Sequence, residues 1–476
     1  MDKSASAPGE ASDSAPPPIV SPAVLRWVLP VTILGSSMGF IDGSVVNVAL
    51  PAMQSSLQSN LATMQWVVNG YMLTLASLIL LGGSLGDRYG RRRIFILGLI
   101  LFAAASFWCG MAPSAGMLVW ARLAQGAGAA LLMPTSLAII GAAYPEAERD
   151  RAIGIWAASA GLLTALGPPL GGWLVDVIGW RSIFFINPPI ALLALVLALK
   201  LPADRRPEKP KRLDWAGSAL AVLTLGLFSY GLVALGDGSA ATGLATLGAS
   251  IVAGILFLVV ESRSKAPIMP LSLFKNPNFS GANAVTVLLY AALSGALFIL
   301  PFLLVKVHGY SATAAGAALL PFSVIIGLGS RWAGGLSGKL GKRTPLIAGP
   351  ALAATGFGIL ALTGHIESYW IGAFPGLLLS GLGMTISIPP LTAAIFDGTP
   401  EEASGTSSGI NNAAARGGGL LAVAAIGLAF GGADLTEIDA ASLQSAYAIV
   451  MAGAAVLALL SAGCAAISIS PVRKAG

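Results

Sequence analysis

The chain has 476 residues, of which 55% are hydrophobic and 10% charged, with a formal net charge of +6 and a mean hydropathy of +0.81. A soluble globular protein carries about 25% charged residues, so most of this surface never meets water, and the positive balance marks loop topology rather than a nucleic-acid footprint. The apolar runs are long and do not alternate, which excludes a β-barrel, whose strands alternate over about 10 residues, and favours helices, whose backbone hydrogen bonds close within each span.

Residues 1–24 are rich in Ser, Ala, Pro and Asp and read as a disordered cytoplasmic tail, with no basic region and short apolar core of a signal peptide. Apolar runs then fall at 26–51, 62–84, 93–112, 116–143, 151–175 and 182–200, at 215–236 and 241–260, and at 282–305, 313–333, 344–364, 368–392, 405–430 and 443–470. A span needs about 20 apolar residues, so about fourteen transmembrane helices are predicted. They group as an N-terminal six-helix bundle (25–200), a basic cytoplasmic linker (201–214), two inserted helices (215–260), a second cytoplasmic linker (261–281), a C-terminal six-helix bundle (282–470) and a cytoplasmic tail (471–476). Cys109 and Cys464 lie inside apolar runs and form neither a disulfide framework nor a metal spacing.

Lys and Arg set the orientation. With both termini cytoplasmic, the outer loops hold only Arg181 and Lys306 as bases, while Arg122 and Arg416 lie within helices. The outer loops carry the acids Asp237, Glu367, Asp434, Glu437 and Asp439. His308 and His365 fall in outer loops and read as bland.

The stretch Gly83 to Arg93, GSLGDRYGRRR, is a charged hinge between two apolar rods. It recurs at 334–343 as GGLSGKLGKR, with Gly338 standing where Asp87 stands in the first copy. Because one copy follows the second helix and the other the tenth, the chain divides as six, two and six helices. The acid of the hinge belongs to the first copy alone.

Gly83, Leu85, Asp87, Arg88, Gly90, Arg91 and Arg92 resemble the loop signature of the major facilitator superfamily. IDGSVVNVALP (41–51), ARLAQGAGAA (121–130) and GPPLGG (167–172) are similar to the helix 1, helix 4 and helix 5 motifs of its drug:proton antiporters, with Ser44 where Thr is usual. GWRSIFFINPP (179–189) and LDWAG (213–217) resemble its fourteen-helix branch. The resemblance implies an all-α membrane protein of the major-facilitator fold. It would be a carrier rather than an enzyme, a monomer in a bacterial inner membrane, alternating access to a central cavity. Its partners would be a small-molecule substrate, protons and the lipid bilayer, with no nucleic acid, cofactor or metal. The phosphate-loop pattern GxxxxGK[ST] is missing from GDRYGRRR, so ATP is not expected and the proton gradient is the energy source.

Asp42 is the acid placed deepest in a helix, where an ionised carboxylate is costly; such a group suits proton loading from one side and release to the other. At about 1.5 Å per residue, Asp42 lies ~13 Å and Arg122 ~10 Å from the outer boundary, so the two can meet. Asp87, with Gly83, Arg88, Gly90, Arg91 and Arg92, is the expected conformational switch, facing free amides of a helix start near Ser404 to Ser407. Arg91 and Arg92 are expected to meet Glu148 or Asp150. Gly167, Pro168, Gly171 and Gly172 form the expected gate, because prolines bend a helix and glycines pack tightly. Met38, Phe40, Tyr71, Tyr290, Phe298, Asn411 and Arg416 are candidate cavity residues. Together these imply proton-coupled export of amphipathic, cationic drugs or toxic compounds. A dedicated exporter of one metabolite or antibiotic, and a transport-inactive scaffold or sensor, are the alternatives.

Overall fold

The computed structural model describes residues 22–202, 213–397, 399, 403–431 and 439–470. Residues 1–21 of the N-terminal tail, the C-terminal tail, most of the 201–214 linker and the loop holding Asp434 and Glu437 lie outside the described residues, while residues 22–24 belong to the first helix rather than to a tail. Every regular element described is a helix. The first six spans are built from α1 (Pro22–Ser56), α2 (Leu61–Tyr89), α3 (Arg91–Met111), α4 (Ala115–Ala143), α5 (Glu146–Val177), and the pair α6 (Ser182–Phe185) and α7 (Asn187–Ala198). Two helices follow, α8 (Trp215–Gly236) and α9 (Ala240–Arg263). The last six spans comprise α10 (Pro277–Phe302), α11 (Ala312–Ala318) with α12 (Leu320–Leu340), α13 (Arg343–Thr363), α14 (Tyr369–Gly372) with α15 (Phe374–Ile395), α16 (Ser404–Ala425) and α17 (Ala440–Ser468). Thirteen stretches among the described residues are long and apolar enough to cross a membrane, and the shorter Ser182–Ala198 joins them. Trp120, Leu192, Ile255, Leu328 and Ile467 project outward from the helices, as a lipid-facing surface requires.

The sequence starts these helices with side-chain caps. Asn60 accepts from the Thr63 amide at 2.9 Å, Asp214 from Gly217 at 2.7 Å, and Asp439 from Ser442 at 2.7 Å, each satisfying an amide that has no intrahelical partner. Two runs expected to be continuous are broken. The 182–200 run divides at Ile186, because Pro188 has no N–H for the Phe184 carbonyl; the Ser106 hydroxyl donates to that oxygen instead, at 2.8 Å, and Asn187 donates to Ser106 at 2.9 Å. The 313–333 run divides at Leu319 ahead of Pro321, and Tyr369 donates to the Ala318 carbonyl at 3.0 Å.

The charged hinge is shorter than expected. Residues 83–89 are the last turns of α2, and only Gly90, at φ 106°, interrupts the chain before α3. In the second copy α12 runs to Leu340 and Gly341, at φ 74°, makes the same break. Both backbones lie where L side chains are strained.

The two halves repeat one packing scheme. In the first, α1 lies on α5, and α2 and α3 lie on α4; in the second, α10 lies on α16, and α12 and α13 lie on α15. The halves meet along α2 with α16, and along α5 with α11 and α12. The apolar interior is uneven along these seams. Away from the hinges, one cluster runs through both halves, from Val45 and Leu50 to Phe298 and Leu443. At the hinge end the interior splits into one cluster per half, with Leu80 packed against both. Between the halves α8 touches both: Asn69 of α2 donates to Ser229 at 3.2 Å, and the Gly236 backbone rests on Gly427, just beyond α16.

Candidate transport site

Asp42 of α1 and Arg122 of α4 meet in the middle of the first half, 0% and 1% exposed. Arg122 Nη1 stands 2.5 Å from Asp42 Oδ2. Each buried ion costs several kcal/mol to desolvate, offset only where the geometry is good and further hydrogen bonds are made; here Nε and Nη1 of Arg122 and both oxygens of Asp42 have partners. Arg122 Nε donates to the Val67 carbonyl at 3.0 Å, and Nη1 also donates to Gln125 Oε1 at 2.7 Å. Gln125 Nε2 donates to Asp42 Oδ1 at 2.9 Å, and the Cys109 thiol donates to Gln125 Oε1 at 3.4 Å. The guanidinium lies 4.3 Å from the centre of the Tyr71 ring and 5.8 Å from that of Phe184, the geometry of cation–π contact. Gln125 sits inside ARLAQGAGAA, one turn after Arg122, yet an uncharged amide drew no attention in the sequence.

The candidate cavity residues divide. Met38 and Phe298 are fully buried in apolar clusters, so they are packing rather than cavity wall, a correction that burial decides. Tyr71 is spent beneath Arg122. Phe40 is partly exposed, edge-on to Trp156 at 5.5 Å between ring centres. In the second half Asn411 donates to Asn283 Oδ1 at 3.2 Å and to Thr286 Oγ1 at 2.7 Å, while Tyr290 and Arg416 stay partly exposed. Among the described residues no hydrogen-bond partner is found for Arg416.

At the first hinge, Arg91 turns back onto Asp87 at 3.2 Å and donates to the Ala138 carbonyl at 2.9 Å, where Glu148 or Asp150 was the expected partner; the side chain of Asp150 lies outside the described residues. Arg92 donates to the carbonyls of Leu199 and Leu201 at 2.9 and 3.1 Å, closing the end of α7. One turn of helix lets Arg91 reach the acid of its own hinge, which explains the change of partner. Arg88 is partly buried and lies 5.4 Å from the centre of the Tyr89 ring, and Gly83 is also partly buried. The helix start expected near Ser404 to Ser407 is that of α16, which packs along α2, with Leu80 against Gly409.

The second hinge keeps the anchors and moves the acid. Lys342 donates to the Ala393 carbonyl at 3.2 Å and Arg343 to that of Ala466 at 2.5 Å. Lys342 also pairs with Asp397, just past α15. An acid is therefore present at the second hinge; it comes from another helix, which the comparison of the two hinge sequences does not reveal.

GPPLGG lies at the opposite end. A Cβ on Gly167 would stand 1.9 Å from Ser44 Oγ, and one on Gly171 2.1 Å from Val45 Cγ2, so both press on the IDGSVVNVALP stretch of α1. Gly172 and Gly316 face the other half, where a Cβ would reach the carbonyl oxygens of Ala312 and Pro168 at 2.1 and 2.2 Å. One turn beyond Gly172, Asp176 accepts from the amides of Ala312 and Thr313 at 3.1 and 2.7 Å and from the Thr313 hydroxyl at 2.5 Å. Lys306 donates to Gln54 at 2.5 Å and Gln65 to the Val423 carbonyl at 2.7 Å, two further bonds across the seam. Asp176 was missed in the sequence, where its only signal is its place one turn after the GG pair.

The sequence profile of the Major Facilitator Superfamily matches residues 32–423. The chain belongs to that superfamily. It is a multi-pass membrane transporter and not an enzyme, as the superfamily and the apolar spans together require. It is 38% identical over 400 residues to multidrug resistance protein Stp of Mycobacterium tuberculosis (strain CDC 1551 / Oshkosh), covering 83% of this chain and 74% of that one. It is 35% identical to the tetracenomycin C resistance and export protein of Streptomyces glaucescens, with the same coverage, and 37% identical to the methylenomycin A resistance protein of Bacillus subtilis (strain 168), covering 84% and 86%. Among solved structures, a bacterial homolog of the human lysosomal transporter Spinster, inward-facing and unoccupied, superposes with a TM-score of 0.69 at 19% identity over 94% of this chain and 98% of that one. A D-xylose–proton symporter superposes at 0.67 and 16% identity, with the same coverage. These two superpositions show a shared fold.

Proposed function

We propose that this transporter exports amphipathic, cationic drugs or toxic compounds in exchange for protons, across a bacterial inner membrane, with its hinge end on the cytoplasmic side. The buried Asp42–Arg122 pair carries the reading. It is a titratable group held away from water, and the cation that holds it lies on a different helix. A proton arriving at Asp42 removes the carboxylate charge and with it the attraction that holds Arg122 there. The apolar interior is continuous at the far end and divided at the hinge end, which supports a carrier closed at the far end, as one state of alternating access would be. The names of the relatives support efflux: one is a multidrug resistance protein and another a resistance and export protein. Two of them are named for single antibiotics, methylenomycin A and tetracenomycin C, which favours a dedicated antibiotic exporter as the second reading. Arg416, partly exposed within the second half, gives such a pump a place to hold an acidic or zwitterionic cargo.

The test is reconstitution in liposomes with an imposed pH gradient and a panel of lipophilic cations. Cargo movement driven by the gradient is expected, and Asp42→Asn is expected to abolish it. Cargo-driven proton flux of undiminished size in Asp42→Asn overturns the coupling role of Asp42. Transport of one acidic compound alone selects the second reading.

A further inference from the structure

We propose that Gln125 is a positioning residue that reports the charge of Asp42 to Arg122 by reversing its side-chain amide. The inference rests on the reading of Asp42 as the proton site. With Asp42 ionised, one amide orientation satisfies the network. Oε1 accepts from Arg122 Nη1 and the Cys109 thiol, and Nε2 donates to Asp42 Oδ1. The reverse orientation would set the NH2 against the donors Arg122 and Cys109, and the carbonyl against a carboxylate that only accepts. Gln125 is 0% exposed, so water does not replace a lost partner.

Protonation reverses the preference at the Asp42 contact, and the turned NH2 then meets the donor Arg122 and displaces it. One proton from solution forms an O–H bond on Asp42 and no other covalent bond changes. The neutral carboxyl now has a hydrogen to donate, and Gln125 lies 2.9 Å from Asp42 Oδ1. When the amide turns to accept that hydrogen, its carbonyl leaves Arg122. Arg122 then loses the Asp42 charge and the Gln125 acceptor together, and keeps the Val67 carbonyl through Nε. A single buried amide thus adds a second loss to the one that the proton causes directly at the arginine.

The groups that bear on this titration are few. Arg122 is on α4, Cys109 on α3 and Tyr71 on α2; from the second half, Arg416 acts on Tyr71 and on Tyr290 of α10. The helices α6, α7 and α11 carry no titratable side chain, and those of α5 lie toward its ends.

The pH profile of gradient-driven transport in proteoliposomes tests the proposal, with Gln125→Met as the volume-conserving variant. Loss of a hydrogen bond to a charged group raises the pH of half-maximal transport by about one unit, while transport at the optimum falls much less. Cys109→Ala, which removes one donor and leaves the amide, is expected to move the midpoint by less than Gln125→Met does, and it serves if Gln125→Met does not fold. In an Asp42→Asn background, where gradient-driven transport is lost, Gln125→Met is expected to leave the pH dependence of cargo binding unchanged. A uniform loss of rate with an unmoved midpoint in Gln125→Met, or no change of any kind in Cys109→Ala, overturns the role of Gln125. If Asp42→Asn itself keeps full proton coupling, the reading of Asp42 fails instead.

Discussion

The two halves of the molecule share a packing scheme and place charge differently. Each contributes one deep arginine. Arg122 is buried, paired and ringed by acceptors, whereas Arg416 stays partly exposed, with no hydrogen-bond partner among the described residues. The hinges differ in the same way. Both break at a left-handed glycine and both anchor two bases on helix-end carbonyls. The acid of the first is its own Asp87, at the end of α2, which lies along α16 of the other half. The acid of the second is Asp397, beside α15, which packs within its own half. Repetition has kept the backbone device and relocated the charge, so the first half holds the groups suited to protons and to motion across the seam.

Removing each deep arginine separates the halves most widely. Arg122→Ala leaves Asp42 buried without its cation, a loss of about 3–5 kcal/mol, read as a large fall in melting temperature in detergent. Arg416→Ala is expected to leave melting unchanged and to alter cargo affinity by about tenfold, near 1.4 kcal/mol. Equal destabilisation by both would erase the distinction. The hinge acids come next. Under the proposed switch role of Asp87, whose charge at a helix start would contribute up to ~2 kcal/mol in a partly buried setting, Asp87→Asn is expected to slow turnover by about tenfold with equilibrium cargo binding intact. Asp397→Asn, a partly exposed pair within one half worth about 0–1 kcal/mol, is expected to change turnover less than twofold; the reverse order would break the comparison. Asp176→Asn weakens the far-end seal and is expected to shift spin-label distances between α5 and α11 toward separation, with a smaller effect on turnover than Asp87→Asn. Gly90→Ala and Gly341→Ala sharpen the part that is shared. Each forces a Cβ into left-handed backbone at about 1–2 kcal/mol, and closely matched losses of stability are expected.

The spans were legible because a membrane helix is a long apolar run, and 241–260, the run with a polar approach, is a helix from Ala240 to Arg263. The breaks at Ile186 and Leu319 were not, since a proline inside an apolar run bends some helices and ends others, depending on which side chain reaches the freed carbonyl. Asp42 and Arg122 stood out as rare deep charges at similar depth, and the structure brings them together. Gln125 was invisible because an amide carries no charge to be missed in lipid. Asp176 and Asp397 were passed over for another reason: their partners, Thr313 and Lys342, lie far along the chain, and contacts between remote helix ends leave no periodic trace.

The inserted helix α8 bears on all of this through its position. It holds Ser229 against Asn69 of one half and Gly236 against Gly427 of the other. In the proposed alternating-access cycle, a rod gripped by both halves cannot follow both as they rotate past each other. It has to slip on one of them at every stroke, and lipid surrounds its remaining face together with α9. In that proposed cycle the slip plane would join the stroke to the lipid around α8 and α9, so bilayer thickness and fluidity would bear on the transport rate.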